Sequence, residues 1–269
     1  MKQICLIFAR TFIAGVLLTQ AAFGICGLAG ITAVSRYPVR ELVFLGFILV
    51  LTLLQLLIMK QPTFPGAKLG RLLETEGYSA EFYRIVFDWR EKCGKRGRLQ
   101  ADLAAAELLI DGGHYGKGFE LLDAISPGDL EPVQKQVYFN TLLYGTVLCG
   151  DIEAAEQVYE RGKKWLLAVT KRPLSASVKH TLGCFEYSRD NADLAEELFM
   201  QALDGAASND VICEAWLGLT ACYLDTGRLT NAREAIKQAG GYACTIPLKR
   251  KVARMRAEVP AAQRPTVDT

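Results

Sequence analysis

Glycine recurs at every third place in GICGLAG, Gly24 to Gly30, a rhythm close to that of phosphate-cradling loops. Such loops are polar, follow a strand and open a helix whose N–H groups face the anion. Here the stretch continues an apolar run, and Ile31, Thr32, Ala33 and Val34 follow it with no lysine within reach. Nucleotide binding is not expected. The two histidines, His114 and His180, stand far apart; His114, beside Tyr115, reads as a surface residue at a turn. The eight cysteines are Cys5, Cys26, Cys93, Cys149, Cys184, Cys213, Cys222 and Cys244, and none forms a C-x-x-C pair with redox or zinc spacing;. Asp190-Asn191-Ala192-Asp193 has the acidity of a calcium loop but lacks its glycine and its terminal glutamate;. It reads instead as a turn whose Asp or Asn caps the next helix. Glu196-Glu197 reads as solvated charge on a helical face. No H-E-x-x-H, G-x-S-x-G or Walker A motif occurs;. The expectation is no catalytic residue, no metal and no cofactor, hence no enzyme.

The elements around these residues say more. From Thr11 to Val34 no side chain is charged, and none is from Leu42 to Met59. As helices the two runs would be roughly 36 Å and 27 Å long, against a hydrocarbon core of about 30 Å. They predict two transmembrane helices over about 11–34 and 42–59, joined by a short turn with Tyr37 and Pro38;. In that setting small residues let helical backbones approach, so Ala22, Gly24, Cys26, Gly27 and Gly30 form a candidate packing face;. A homo-oligomer through the first span is one use for it. The first run is longer than a signal-peptide core, so cleavage is not expected. Lys2 and Arg10 before the spans, with Lys60, Lys68 and Arg71 after them, outweigh Arg36 and Arg40 in the turn. The positive-inside rule then places both flanks in the cytoplasm of a multi-pass cell-membrane protein. Scattered free thiols suit that reducing side.

Residues 61–66 are a linker with two prolines and a glycine;. Beyond it, turn residues Gly77, Gly113, Gly150, Asp190 and Gly227 recur at intervals of 36 to 40 residues, a period typical of stacked helical pairs;. Seven places before each marker stand Gly70, Ala106, Leu143, Gly183 and Thr220. Five places after stand Phe82, Gly118, Ala155, Ala195 and Ala232, where a second helix must cross the first. Nine places after stand Val86, Leu122, Tyr159, Phe199 and Ile236, large enough to reach the next pair. One pair cannot bury its own apolar face, so pairs must stack. Ala215-Trp216-Leu217-Gly218-Leu219, Tyr223, Gly227, Ala232, Ile236 and Ala239 carry the W…L…Y…G…A…F…A spacing most clearly. Leu182-Gly183, Asp190, Ala195, Phe199 and Ala202 repeat it. On these residues the chain resembles the tetratricopeptide repeat family.

The expected fold class is therefore all-α: two transmembrane helices, then a tetratricopeptide-like α-solenoid of about five helical pairs. The boundaries expected are 1–60 for the anchor, 67–257 for the repeat domain and 258–269 for a disordered tail. Lys249 to Arg256 is expected to form a terminal capping helix with a solvated outer face;. The resemblance implies that the first helix of each pair lines a concave groove. Carried over by spacing, the groove candidates are Gln100, Glu107, Asn140, Tyr144, His180, Tyr187, Glu214 and Asp225. They include no Lys or Arg, a departure from the family's carboxylate-gripping groove. A basic cluster after the linker, Arg90, Lys92, Lys95, Arg96 and Arg98, is a candidate for lipid-headgroup contact;. Nucleic acid is not expected at a net charge of +2 without interleaved aromatics;. The expected partners are a protein or peptide and membrane lipids, and the expected function is a membrane-anchored interaction scaffold or adaptor. A second reading is an accessory subunit of an envelope or secretion assembly, with the repeat domain outside the cytoplasm.

Overall fold

The computed structural model describes Val50 and residues 62–168, 174–206 and 208–260. Apart from Val50, both apolar runs lie outside the described residues, and so do Ala22, Gly24, Cys26, Gly27 and Gly30 and the tail from 261. Among the described residues no helix is long and apolar enough to cross a membrane. The chain divides into two compact units, Met1–Thr63 and Phe64–Thr269, and the helices from Gly66 onward belong to the second.

All regular structure described in this unit is helical, with no strand. The order is α1 (Gly66–Thr75), α2 (Ala80–Lys92), α3 (Lys95–Asp111), α4 (Tyr115–Asp123), a 3-10 turn (Pro127–Asp129), α5 (Pro132–Leu148), α6 (Ile152–Leu166), α7 (Leu174–Ser188), α8 (Ala192–Gly205), α9 (Asn209–Asp225), α10 (Leu229–Tyr242) and α11 (Ile246–Glu258). Helix starts follow local chemistry. Ser79 Oγ accepts from Phe82 N–H at 3.2 Å, and Asp151 Oδ1 accepts from Ala154 N–H at 3.0 Å;. Glu131 and Gln134 form a reciprocal capping box ahead of Pro132;. Asp190-Asn191 departs from the capping expectation. The Asn191 side chain makes no cap bond and donates to Glu186 Oε2 at 3.1 Å instead.

The five periodic turn residues are the five with left-handed backbone among the described residues. Gly77, Gly113, Gly150 and Gly227 have φ between 70° and 82°, and Asp190 has 59°. At Gly113, Asp190 and Gly227 the next residue's N–H closes a long-range bond to the carbonyl five back. His114 donates to Leu109, Asn191 to Glu186 and Arg228 to Tyr223. Each first helix is thereby terminated and the chain reversed.

Packing follows the spacing read from the sequence. Phe82, Gly118, Ala155, Ala195 and Ala232 are all buried where the paired helices cross. Nine places after the turn, Tyr159 of α6 stacks on Phe185 of α7, with ring centroids 5.0 Å apart. Phe199 of α8 lies between Gly183 of α7 and Gly218 of α9. A Cβ at Gly183 would come within 2.8 Å of its ring, and one at Gly218 would clash harder still. Ile236 of α10 packs with Leu248 and Val252 of α11.

Charged clasps join neighbouring pairs. Arg189, one place before its turn residue, reaches Glu156 of α6 at 3.1 Å. Arg228, one place after its turn residue, grips Glu196 of α8 at 2.5 Å. Glu196 is therefore half-buried and paired rather than simply solvated, while Glu197 is exposed. Residues 258–260, expected within the tail, are among the described residues. Glu258 closes α11, Val259 packs on the core and the Pro260 carbonyl accepts from Arg233 Nε at 2.9 Å.

The odd-numbered helices form an inner row: α3 packs on α5, α5 on α7, α7 on α9 and α9 on α11. Helix α11 also packs against α1, so the row returns on itself. At that closure Gly77 abuts α11, and a Cβ on it would stand 3.6 Å from Ile246 and Pro247 side-chain atoms.

Candidate functional site

The inner row lines a solvent-open cavity of about 260 Å³. Helix α3 contributes Glu107 and Asp111; α5 contributes Asn140, Thr141 and Tyr144; α7 contributes Ser177, His180 and Thr181. Helix α9 adds Asp210 and Glu214, α11 adds Leu248 and Lys251, and Tyr78 enters from the α1–α2 turn. Of the sequence candidates, Glu107, Asn140, Tyr144, His180 and Glu214 thus come together.

Gln100, Tyr187 and Asp225 do not line it. Gln100 is exposed, and the Tyr187 hydroxyl donates to Asp225 at 2.6 Å. The reason is a register drift. Glu107 and Asp111 lie six and two places before Gly113, and Asn140 and Tyr144 ten and six before Gly150. His180 lies ten before Asp190, and Asp210 and Glu214 seventeen and thirteen before Gly227. The cavity thus meets successive inner helices about one turn further from their ends. Tyr187 and Asp225, close to their turns, fall beyond its edge.

The expectation of a groove without Lys or Arg is corrected by Lys251. Helix α11 has the solvated outer face expected of it, with Lys249, Arg250, Arg254 and Arg256 exposed. Lys251 departs from that face: it lies with Leu248, Val252 and Met255, at i+3 and i+4 spacing, on the side that turns inward;. Its Nζ stands 2.5 Å from Glu214 Oε1. Burial opposes the ammonium charge, but Glu214 outweighs it and raises the lysine pKa;.

The cavity is nevertheless acidic, with four carboxylates facing one ammonium. Glu107 and Asp111 are one helical turn apart, an unfavourable pairing of like charges, and Asp210 and Glu214 repeat it on α9;. Surrounding protein pushes the Glu107 carboxyl up. Asp111 rises to about 8, first through desolvation and then through Glu107. Both side chains keep solvent access through the cavity, so water tempers these shifts; their upward direction is what the geometry carries. Desolvation lowers the His180 pKa, leaving the imidazole neutral at pH 7;. The His180 and Tyr144 rings lie 5.7 Å apart.

Two buried acceptors here have no hydrogen-bond partner: Asn140 Oδ1 and Thr141 Oγ1, on residues only 6 % and 3 % exposed. An orphaned buried polar atom costs about 1–3 kcal/mol. No group of His, Cys, Asp and Glu suited to a metal ion occurs among the described residues. Burial pushes the Cys184 thiol up to about 12, against any role as a thiolate;.

In the basic cluster, Arg90 and Arg98 both engage Asp102, at 2.5 Å and 3.2 Å. Lys92 and Lys95 are exposed, and the side chain of Arg96 lies outside the described residues. His114 is exposed, with its ring 4.8 Å from that of Tyr83.

Comparison with protein-family models, with curated proteins and with solved structures finds no match.

Proposed function

We propose that this chain is a membrane-anchored scaffold whose tetratricopeptide-like helical repeats, stacked as a solenoid, hold a segment of a partner protein in the central cavity. One observation carries the reading. Five of the eight residues that the resemblance assigns to a groove, on four different helices, line one cavity together with unpartnered buried oxygens. Left-handed turns at each period support the repeat resemblance. The two uncharged runs ahead of residue 60 support the anchor;. A cavity of about 260 Å³ has room for a side chain of such a partner segment.

The test is site-specific photocrosslinking in cells, with benzoylphenylalanine at Val211 in the cavity and at exposed Leu167 outside it. A discrete adduct from position 211, absent from position 167 and recovered in carbonate-washed membranes, is the expected result. Equal labelling from both positions, or none from 211, refutes cavity binding. Release of the chain by carbonate refutes the anchor.

A further inference from the structure

The chemistry of the cavity selects its occupant. Among the described residues it gathers four carboxyl groups and one cation, Lys251, which is engaged with Glu214. Glu107 and Asp111 have no cationic partner there and hold their protons more tightly, and a bound cation would favour their ionised form;. The buried Asn140 amide oxygen requires a donor, and the Thr141 hydroxyl can accept one as well as donate;. Lysine and arginine head groups are donors only and carry the complementary charge. Aromatic faces at Tyr144 and Tyr78 suit the same groups;. An anionic ligand would meet four acidic side chains and leave the Asn140 oxygen unserved.

We propose that the cavity is a receptor for an organic cation, an alkylammonium or guanidinium group, seated between Glu107 and Asp111 and donating to Asn140 Oδ1 and Thr141 Oγ1. This rests on reading the cavity as a binding site, and it identifies the class of group bound. Lys251 already satisfies Glu214 in the same way, as a resident cation supplied by α11. The group has two natural sources, a free amine or the side chain of a partner segment, and both present the same chemistry to the site.

The experiment is calorimetric titration of the full chain in nanodiscs. The probes are agmatine, a capped Gly-Arg-Gly peptide and, as the anionic comparison, glutarate. One site is expected for the cationic probes and none for glutarate. Glu107→Gln and Asp111→Asn each weaken binding about tenfold or more, as loss of a charge-assisted contact does. Lys251→Met tightens it by freeing Glu214, and Glu160→Gln, on an exposed outer face, leaves it unchanged. Tighter binding of the peptide than of agmatine assigns the site to a partner's side chain; the reverse order assigns it to a free amine. Loss of binding in Asp111→Asn cannot be ascribed to misfolding if that variant's thermal midpoint matches or exceeds the parent's. Three results overturn the proposal: no cation binding to either the parent or Lys251→Met, unchanged affinity in both carboxylate variants, or preference for glutarate. If crosslinking from position 211 persists while the cationic probes fail, the groove reading stands and the cation class falls.

Discussion

Asp111 illustrates how a single side chain can cost stability and point to use. A carboxyl whose folded pKa is raised holds its proton more tightly in the native state than in the unfolded one. Its contribution to stability is greatest below the ordinary Asp range and is lost as pH rises towards about 8;. Asp111→Asn removes that loss. Its thermal midpoint should match the parent near pH 4 and exceed it at pH 8 by about 2 °C or more, after allowing for solvent access. Thermal unfolding followed by circular dichroism across that range checks it; a midpoint below the parent's at pH 8 refutes the sign. Glu107 has the same upward direction, so Glu107→Gln should act the same way. The pairing could be read before the fold was known, because Glu107 and Asp111 are four residues apart. That the two line a cavity shared with other helices could not, since a helix bearing acids on one face usually turns it to bulk water.

At the scale of the helix, close approach around Phe199 is the sharpest constraint. Gly218→Val places carbon atoms where the ring already lies, and overpacking of this kind costs about 1–3 kcal/mol. Gly241 in α10 offers the contrast, since a Cβ there meets nothing within 4 Å. Gly241→Ala should be neutral or gain up to about 1 kcal/mol, from helix propensity. In urea the midpoint of Gly218→Val should fall while that of Gly241→Ala holds or rises, and a stabilised Gly218→Val would refute the packing account. The Arg228–Glu196 clasp is a second element-level prediction. Breaking it with Arg228→Ala leaves Glu196 half-buried beside α10. The midpoint in urea should fall, and a double variant with Glu196→Gln should recover part of the loss. Full additivity would show that the two residues act independently.

For the whole molecule, sidedness is the open functional question, and the thiols supply its probe. Cys149 and Cys244 are exposed, whereas Cys213 and Cys222 are buried. An impermeant maleimide should label Cys149 and Cys244 only after the cells are permeabilised, if the helical unit is cytoplasmic. Labelling of intact cells would favour the envelope-assembly reading. Closure of the inner row by α11 is a property of this same scale. Helix α11 meets both α9 and α1, and this turns a concave face into a walled cavity.

Periodicity determined much of the architecture before any coordinate was known. Five turn residues, the crossing positions after them and the helical class all derive from local rules: a left-handed turn needs Gly or a tolerant residue, and a helix crossing needs a small side chain. Carried over from the resemblance, the groove candidates included Glu107, Asn140, Tyr144, His180 and Glu214, which line the cavity, and Gln100, Tyr187 and Asp225, which do not. Only the tertiary structure decided which part of each inner helix meets the cavity, because the drift of one turn per pair accumulates from packing angles that no single repeat encodes. It also decided the place of Lys251. A basic terminal helix is expected to face water, and Lys251 turns inward because Leu248 and Val252, on its own face, are buried against the preceding pair.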